Sequence, residues 1–225
     1  MASSTLQAGQ ASEISARFLQ LYTGAIADIL DKHGYRNQLL PSGIAPFTVK
    51  NRVAGTAFTV QGYPCADVTH DDTEIRLKTL DSALPGCVTV VATGGSMDCA
   101  HWGEIMSTAV QQRGSTGAVV DGGLRDLDFV NAMNFPVFAK FRHAATLAGR
   151  WGITESQVVV KIGNTVIAPG DFIFGDVDGV VVVPQKITMD VLVAAEDIQA
   201  REKGMREELR AGVSVIEAFK KYGAM

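Results

Sequence analysis

Cysteine is scarce in this chain of 225 residues: there are three, at Cys65, Cys87 and Cys99. An odd, unspaced set excludes a disulfide framework and a cysteine zinc cluster, and it fits a reducing compartment. No sign of charge dominates; the net charge is −4. That removes the bulk electrostatic case for nucleic acid or an anionic membrane surface as a partner. No apolar run reaches the ~20 residues that span a bilayer. Residues 1–10 lack the basic and apolar regions of a secretory leader. The sequence therefore reads as a cytoplasmic protein with a flexible arm over residues 1–11. Internal repeats, a separating linker, a nucleophile-elbow serine and metal-ligand spacing among His33, His70, His101 and His143 are also absent.

What is present is an ordinary globular composition, 47% hydrophobic and 20% charged, able to bury a substantial core. Residues 12–33 carry a helical pattern with Ile26, Ile29 and Leu30 on one face, a restart at Thr23 and a stop at Gly34. Residues 53–60 alternate small and large β-formers, which predicts a strand close to another backbone. Leucines and Ile75 mark a helix after Asp71-Asp72, broken at Pro85-Gly86. Strands at 88–92, 117–120 and 137–139 then alternate with helices at 103–113 and 126–133. That alternation predicts parallel strands joined by helical crossovers. Beyond Gln157 come short strands at 158–160 and 166–167 joined at Gly163-Asn164, a hairpin signal, then 172–174 and 180–183 around a turn at Asp176. Residues 186–222 read as helical. The expectation is a single α/β domain over 12–225, with mixed sheets and 186–225 as a C-terminal helical arm.

The chemistry gathers at two segments. Gly103-Glu104-Ile105-Met106 opens a helix, whose first amides have no intrahelical acceptor and form an anion site. Glu104 stands at that positive end, where it can orient water or simply be a favourable first-turn acid. Arg125-Asp126 follows a glycine turn after the buried strand 117–120. An arginine fork beside one carboxylate suits carbanion chemistry on a 2-oxo acid: the arginine holds carboxylate or enolate oxygen, and the aspartate holds a divalent cation. The plain alternative is that Asp126 caps the next helix and Arg125 makes a surface ion pair. Gly94-Gly95-Ser96 lacks the lysine of a phosphate loop and reads as a turn. His101 and Asp98 lie close in sequence and are further candidates to face the site. No lysine falls in the Arg-Asp segment, which disfavours Schiff-base chemistry, with Lys140 and Lys161 left open.

Together, Gly103 to Met106, the stretch from Gly117 through Arg125-Asp126, Pro169-Gly170-Asp171 and the run from Asp176 to Pro184 resemble the 4-hydroxy-4-methyl-2-oxoglutarate aldolase family. The other branch of that family is the regulator of ribonuclease activity A. The resemblance implies a swivelling β/β/α-type fold and a class II pyruvate aldolase that uses Mg²⁺ or Mn²⁺. Its substrate would be a 4-hydroxy-2-oxo diacid, such as 4-hydroxy-4-methyl-2-oxoglutarate or 4-carboxy-4-hydroxy-2-oxoadipate, with oxaloacetate decarboxylation as a side activity. It further implies that the backbone of Gly103, Glu104, Ile105 and Met106 holds the pyruvyl carboxylate, that Arg125 binds substrate, and that Asp126 binds the metal. Trimers or hexamers with the site between subunits are implied as well, with Glu202 as the acid contributed by a neighbour. The rival reading is a non-enzymatic binder that regulates an RNase. Asp71-Asp72 aligns with no family feature.

Overall fold

The runs Cys87–Ala92 and Gly117–Val120 are buried at every position, so they must lie in a sheet covered on both faces. The computed structural model describes residues 8–66 and 70–223. Asp67 and the side chains of Asp71-Asp72 lie outside the described residues. In chain order the first elements are α1 (Ala8–Phe18), α2 (Thr23–Lys32), β1 (Ala45–Pro46), β2 (Val53–Pro64), α3 (His70–Asp81) and β3 (Cys87–Ala92). Next come β4 (Ala100–Trp102), α4 (Glu104–Gln112), β5 (Gly117–Val120), β6 (Gly123–Leu124), α5 (Leu127–Ala132), β7 (Val137–Ala139) and β8 (Phe141–Arg142). The chain closes with β9 (Trp151–Ser156), β10 (Val160–Ile162), β11 (Thr165–Ile167), β12 (Phe172–Asp176), β13 (Gly179–Val183), α6 (Thr188–Arg210) and α7 (Val215–Tyr222).

Among the described residues, eight strands form one mixed sheet in the order β1-β7-β5-β3-β2-β12-β13, with β9 paired to the far half of β2. Strands β2, β3, β5 and β7 run parallel, as helical crossovers require. Side chains alternate between faces. Val88, Val90 and Val119 pack on one side with Ile162 and Ile167 of the β10–β11 hairpin. Cys87, Val91, Ala118 and Val120 pack on the other with Trp102, Val110 and Val130. A third cluster joins α1, α2 and α6 to the β12–β13 hairpin, where Phe18 stacks on Phe172 at 4.3 Å.

The mixed α/β architecture, the crossovers and the helical arm are as expected. Several boundaries differ. The first helix begins at Ala8 rather than Ser12. The hairpin strand begins at Val160, because Val160 and Ile162 are buried while Val159 is 62% exposed. Strand β9 and the short β4, β6 and β8 were not anticipated. The arm breaks between α6 and α7, where Ser214 caps α7 by accepting from the Glu217 amide at 3.2 Å.

The expected turn at Asp176 has a second duty. Its buried carboxylate accepts from the Thr23 amide at 2.9 Å and the Thr23 hydroxyl at 2.8 Å, so a residue far along the chain anchors the first turn of α2. Asp176→Ala would leave both donors buried and unpaired. It should destabilise the protein by roughly 2 kcal/mol, seen as a lower denaturation midpoint, whereas an unchanged midpoint would dismiss the tie.

Candidate active site

Three parallel strands feed the site, in the spatial order β4-β6-β8. Ala100 lies opposite Gly123, Trp102 opposite Leu124, and Leu124 opposite Arg142. Strands β5 and β7 of the main sheet run on into β6 and β8 through Asp121-Gly122 and Lys140 respectively. An ion pair between Lys140 Nζ and Asp121 Oδ1 ties these two passages together. Burial pushes the Asp121 carboxyl above its usual range, and Lys140 draws it back. Open α/β sheets bind ligands beyond the carboxyl ends of their parallel strands. Here those ends are Gly103, Arg125 and His143.

Helix α4 starts without a side chain of its own at the cap. Gly103 is the N-cap residue, with extended backbone. A β-carbon there would lie 2.7 Å from Asp126 Oδ2, so glycine is what admits the carboxylate. Asp126 Oδ2 accepts from the Glu104 amide at 3.3 Å and lies 3.5 Å from Arg125 Nε. The Ser107 amide bonds to Gly103 O at 3.0 Å, which leaves the amides of Ile105 and Met106 without intrahelical acceptors. Trp102 Nε1 donates to Ser107 Oγ at 2.8 Å, and that hydroxyl donates to Gly103 O at 2.9 Å. This buried relay fixes the helix start. Glu104 Oε1 accepts from the Thr108 hydroxyl at 2.8 Å, so its carboxylate is held along the helix.

Gly103, Ile105, Met106, Arg125 and Asp126 line one cleft of about 60 Å³, together with Ala100, Trp102 and Leu147. Arg125 and Asp126 also border a second, open depression of about 300 Å³ that contains Arg142 and His143. A larger cavity of about 510 Å³ lies at the opposite ends of the strands, around Ser15, Arg52, Gly114 and Pro136. It holds none of the expected site residues, so chemistry rather than size selects the site. The Arg125 and Asp126 side chains are 42% and 39% exposed. An ion pair so exposed adds little stability, and both groups can be shared with a ligand. Asp126 occupies the N-cap position of α5 but makes no side-chain cap bond to it. The plain expectation of a carboxylate capping the helix it precedes is therefore not met.

Among the described residues, no group of three or more His, Cys, Asp or Glu converges on a point. A cation here would rest on Asp126, whose Oδ1 has no hydrogen-bond partner among the described residues. One carboxylate oxygen completed by water and substrate suits Mg²⁺, which gives up its hydration shell reluctantly. Ser107 and Trp102 were missed in the sequence. Their one signal is the spacing of a hydroxyl four residues after the helix-opening glycine.

Glu202 is not brought to this cleft in its own chain. It lies on α6, paired with Arg206 at 2.6 Å. Burial and the nearby Glu202 push the Tyr22 phenol up. Asp98 is exposed and outside the cleft lining. Lys161 is exposed on its hairpin, and Lys140 is paired with Asp121; neither lines the cleft. His101, a candidate to face the site, is instead fully buried. Its Nδ1 accepts from the Gly123 amide at 2.9 Å, its Nε2 lies 3.6 Å from Cys99 Sγ, and Trp151 meets it edge-on at 5.1 Å. It supports the turn that aims Arg125 and does not touch the cleft.

The match to known proteins spans the residues of this cleft. The family model described as "RraA-like: Aldolase/RraA" matches residues 23–182. The chain belongs to this family. A putative 4-hydroxy-4-methyl-2-oxoglutarate aldolase of Halalkalibacterium halodurans is 34% identical over 205 residues, covering 90% of this chain and 91% of that protein. A crystal structure described as one of "novel cellulases from microbes associated with the gut ecosystem" superposes with a TM-score of 0.84 at 35% identity, covering 89% of this chain and 90% of the other. Streptomyces coelicolor RraAS2, described as an unusual member of the RNase ES inhibitor RraA family, superposes at 0.75 with 27% identity, covering 86% and 96%. Among the described residues, no helix is long and apolar enough to cross a membrane.

Burial pushes the His101 imidazole down from about 6.5 to about 4, with His143 adding to the effect. As pH falls, the unfolded chain takes up this proton first. The stabilisation is complete above pH ~6.5 and is lost as pH falls towards ~4, about 3 kcal/mol in all. Denaturation midpoints for wild type and His101→Gln should converge over that interval. Parallel pH curves would remove His101 as the cause.

Proposed function

We propose that this aldolase-family chain cleaves a 4-hydroxy-2-oxo diacid to pyruvate and a second 2-oxo acid, using a divalent cation. The observation that carries the reading is the shared frame at Asp126. A single carboxylate oxygen touches the first amide of an anion-binding helix and the neighbouring arginine, while its other oxygen remains available.

The unpaired amides of Ile105 and Met106 bind the substrate's carboxylate, a favourable charge for a helix N-terminus. Mg²⁺ or Mn²⁺ held by Asp126 would supply Lewis-acid polarisation of the adjacent ketone. A water held by Glu104, together with Glu202 of the partner subunit in a homotrimer or hexamer, removes the 4-hydroxyl proton. The C3–C4 bond then breaks, its electron pair delocalises onto the C2 oxygen as the pyruvate enolate, and a proton returned from that water to C3 completes pyruvate. Arg125 stabilises that growing charge through its guanidinium fork. Oxaloacetate decarboxylation passes through the same enolate and needs no proton from a 4-hydroxyl.

The name of the Streptomyces relative favours the rival, a binder that regulates an RNase. A contact role needs no metal. Glycoside hydrolysis is not carried over from the cellulase description: it takes two carboxylates flanking a sugar, whereas Asp126 is the one carboxylate residue that lines the cleft.

Pyruvate release from 4-hydroxy-4-methyl-2-oxoglutarate and from oxaloacetate should vanish in EDTA, return with Mg²⁺, and be lost in Asp126→Ala. No excess over free Mg²⁺ on either substrate would leave the binder reading. Arg125→Ala should lower kcat on the order of 10²-fold, with little recovered by Arg125→Lys. A rise in KM alone would make Arg125 a uniform binder. The role of Glu202 is open to complementation. Co-assembled Asp126→Ala and Glu202→Gln chains should regain activity that each lacks alone, and failure to regain it would put Glu202 outside the site.

A further inference from the structure

We infer that Arg142 and His143, at the end of β8, form a second carboxylate subsite that selects diacid substrates. The inference rests on the proposed aldolase reading and extends it to the distal end of the substrate.

The argument begins with the order of the small sheet. Its strands lie side by side as β4-β6-β8, and each ends in a different kind of group. Beyond β4 are the unpaired amides that open α4. Beyond β6 are Arg125 and Asp126. At the end of β8 are Arg142 and His143, with Arg142 in register opposite Leu124, the residue that precedes Arg125. Neighbouring strands are spaced ~4.8 Å apart, so an extended five- or six-carbon diacid covers one to two such intervals. Anion site, ketone site and second cationic site thus stand in the order in which such a molecule carries carboxylate, 2-oxo group and distal carboxylate.

The local chemistry agrees. Arg125 and Asp126 form the ridge between the small cleft and the depression of about 300 Å³ that holds Arg142 and His143. Asp126 is the one carboxylate on that lining, and in the proposed mechanism it is committed to the cation. The rest is apolar, from Leu124, Leu127 and Ala144, which suits the methyl or methylene groups of the substrate's middle. The Arg142 guanidinium lies over the Phe47 ring, 5.2 Å from its centroid. That contact uses its face and leaves its edge donors for a carboxylate. His143 Nδ1 accepts from the Ala145 amide at 3.1 Å. In the neutral ring this puts the hydrogen on Nε2, a donor for the same anion. No salt bridge engages Arg142 among the described residues.

The test compares two substrates on the full chain with Mg²⁺: 4-hydroxy-4-methyl-2-oxoglutarate, and 4-hydroxy-2-oxopentanoate, which lacks the distal carboxylate. Wild type should favour the diacid in kcat/KM. Arg142→Ala should shrink that preference about 10- to 100-fold, the range for one charge-assisted hydrogen-bonded contact, mainly through KM for the diacid. Arg142→Lys should restore part of it. Calorimetry with the unreactive pair 2-oxoglutarate and 2-oxobutanoate should show the same selective loss without turnover, and thermal melts matching wild type would show an intact fold. Equal losses on both substrates, or an unchanged preference, overturn the subsite while leaving the aldolase reading in place. If wild type cleaves neither substrate, the aldolase reading falls and the subsite falls with it.

Discussion

The site depends on how one carboxylate is turned. Asp126 has a φ of 59°, in the left-handed region where a β-carbon costs on the order of 1 kcal/mol. Aspartate tolerates that backbone better than most residues. The turn carries its carboxylate away from α5, the helix it precedes, and onto the first amide of α4. Gly103 makes the approach possible by having nothing in the way. From this follow the rest of the contacts: Arg125 is held at the same oxygen, the second and third amides of α4 stay unpaired, and the outer carboxylate oxygen remains open. Had Asp126 capped its own helix, the same residues would make an ordinary surface.

That turn is affordable because the backbone on either side is fixed from below. Strands β5 and β7 carry the chain out of a fully buried sheet and straight into β6 and β8. Asp121 and Lys140 bind the two exits to each other, and the buried His101 ring holds the Gly123 amide. At Gly122 a β-carbon would fall 2.4 Å from His101 Nδ1, so the chain and the imidazole share space that no larger residue leaves free. Rigid strands thus deliver charged side chains to a partly exposed surface. Side chains in such a place are open to a ligand and still confined enough to be aimed.

Much of this was legible in the sequence, and the rest was hidden for physical reasons. The buried strands Gly117–Val120 and Val137–Ala139 announce themselves as apolar runs between turn residues. Gly103 to Met106 and Arg125-Asp126 stood out by residue chemistry; the fold lines one cleft with Gly103, Ile105, Met106, Arg125 and Asp126, while Glu104 reaches Asp126 by its amide alone. Strands β4, β6 and β8 were illegible because two or three residues carry no periodicity; they exist only because neighbours lie alongside. His101 read as a group that faces the site, since sequence does not reveal that Trp151 and Phe141 enclose it. The plain alternative had Asp126 cap α5, but its carboxylate meets the start of α4 instead, because spacing tells which helix follows a residue and not which helix start lies nearest in space. Arg142 and His143 drew no attention as a pair, since their proximity to Arg125 arises from strand register alone.

The hand-over from the large sheet to the small one separates what must be conserved for folding from what meets the ligand. The segment that leaves β8 at His143 returns to the main sheet at Trp151, whose indole donates to Thr93 O at 2.9 Å, and on the way Ala145 O accepts from the Ala100 amide at 2.9 Å and Leu147 packs against the core. The side chains of Ala144, Thr146, Ala148 and Arg150 in this segment are exposed. Composition at those exposed positions can drift with little packing penalty, so a lineage could change what borders the cleft by rewriting a few surface residues while inheriting its frame intact.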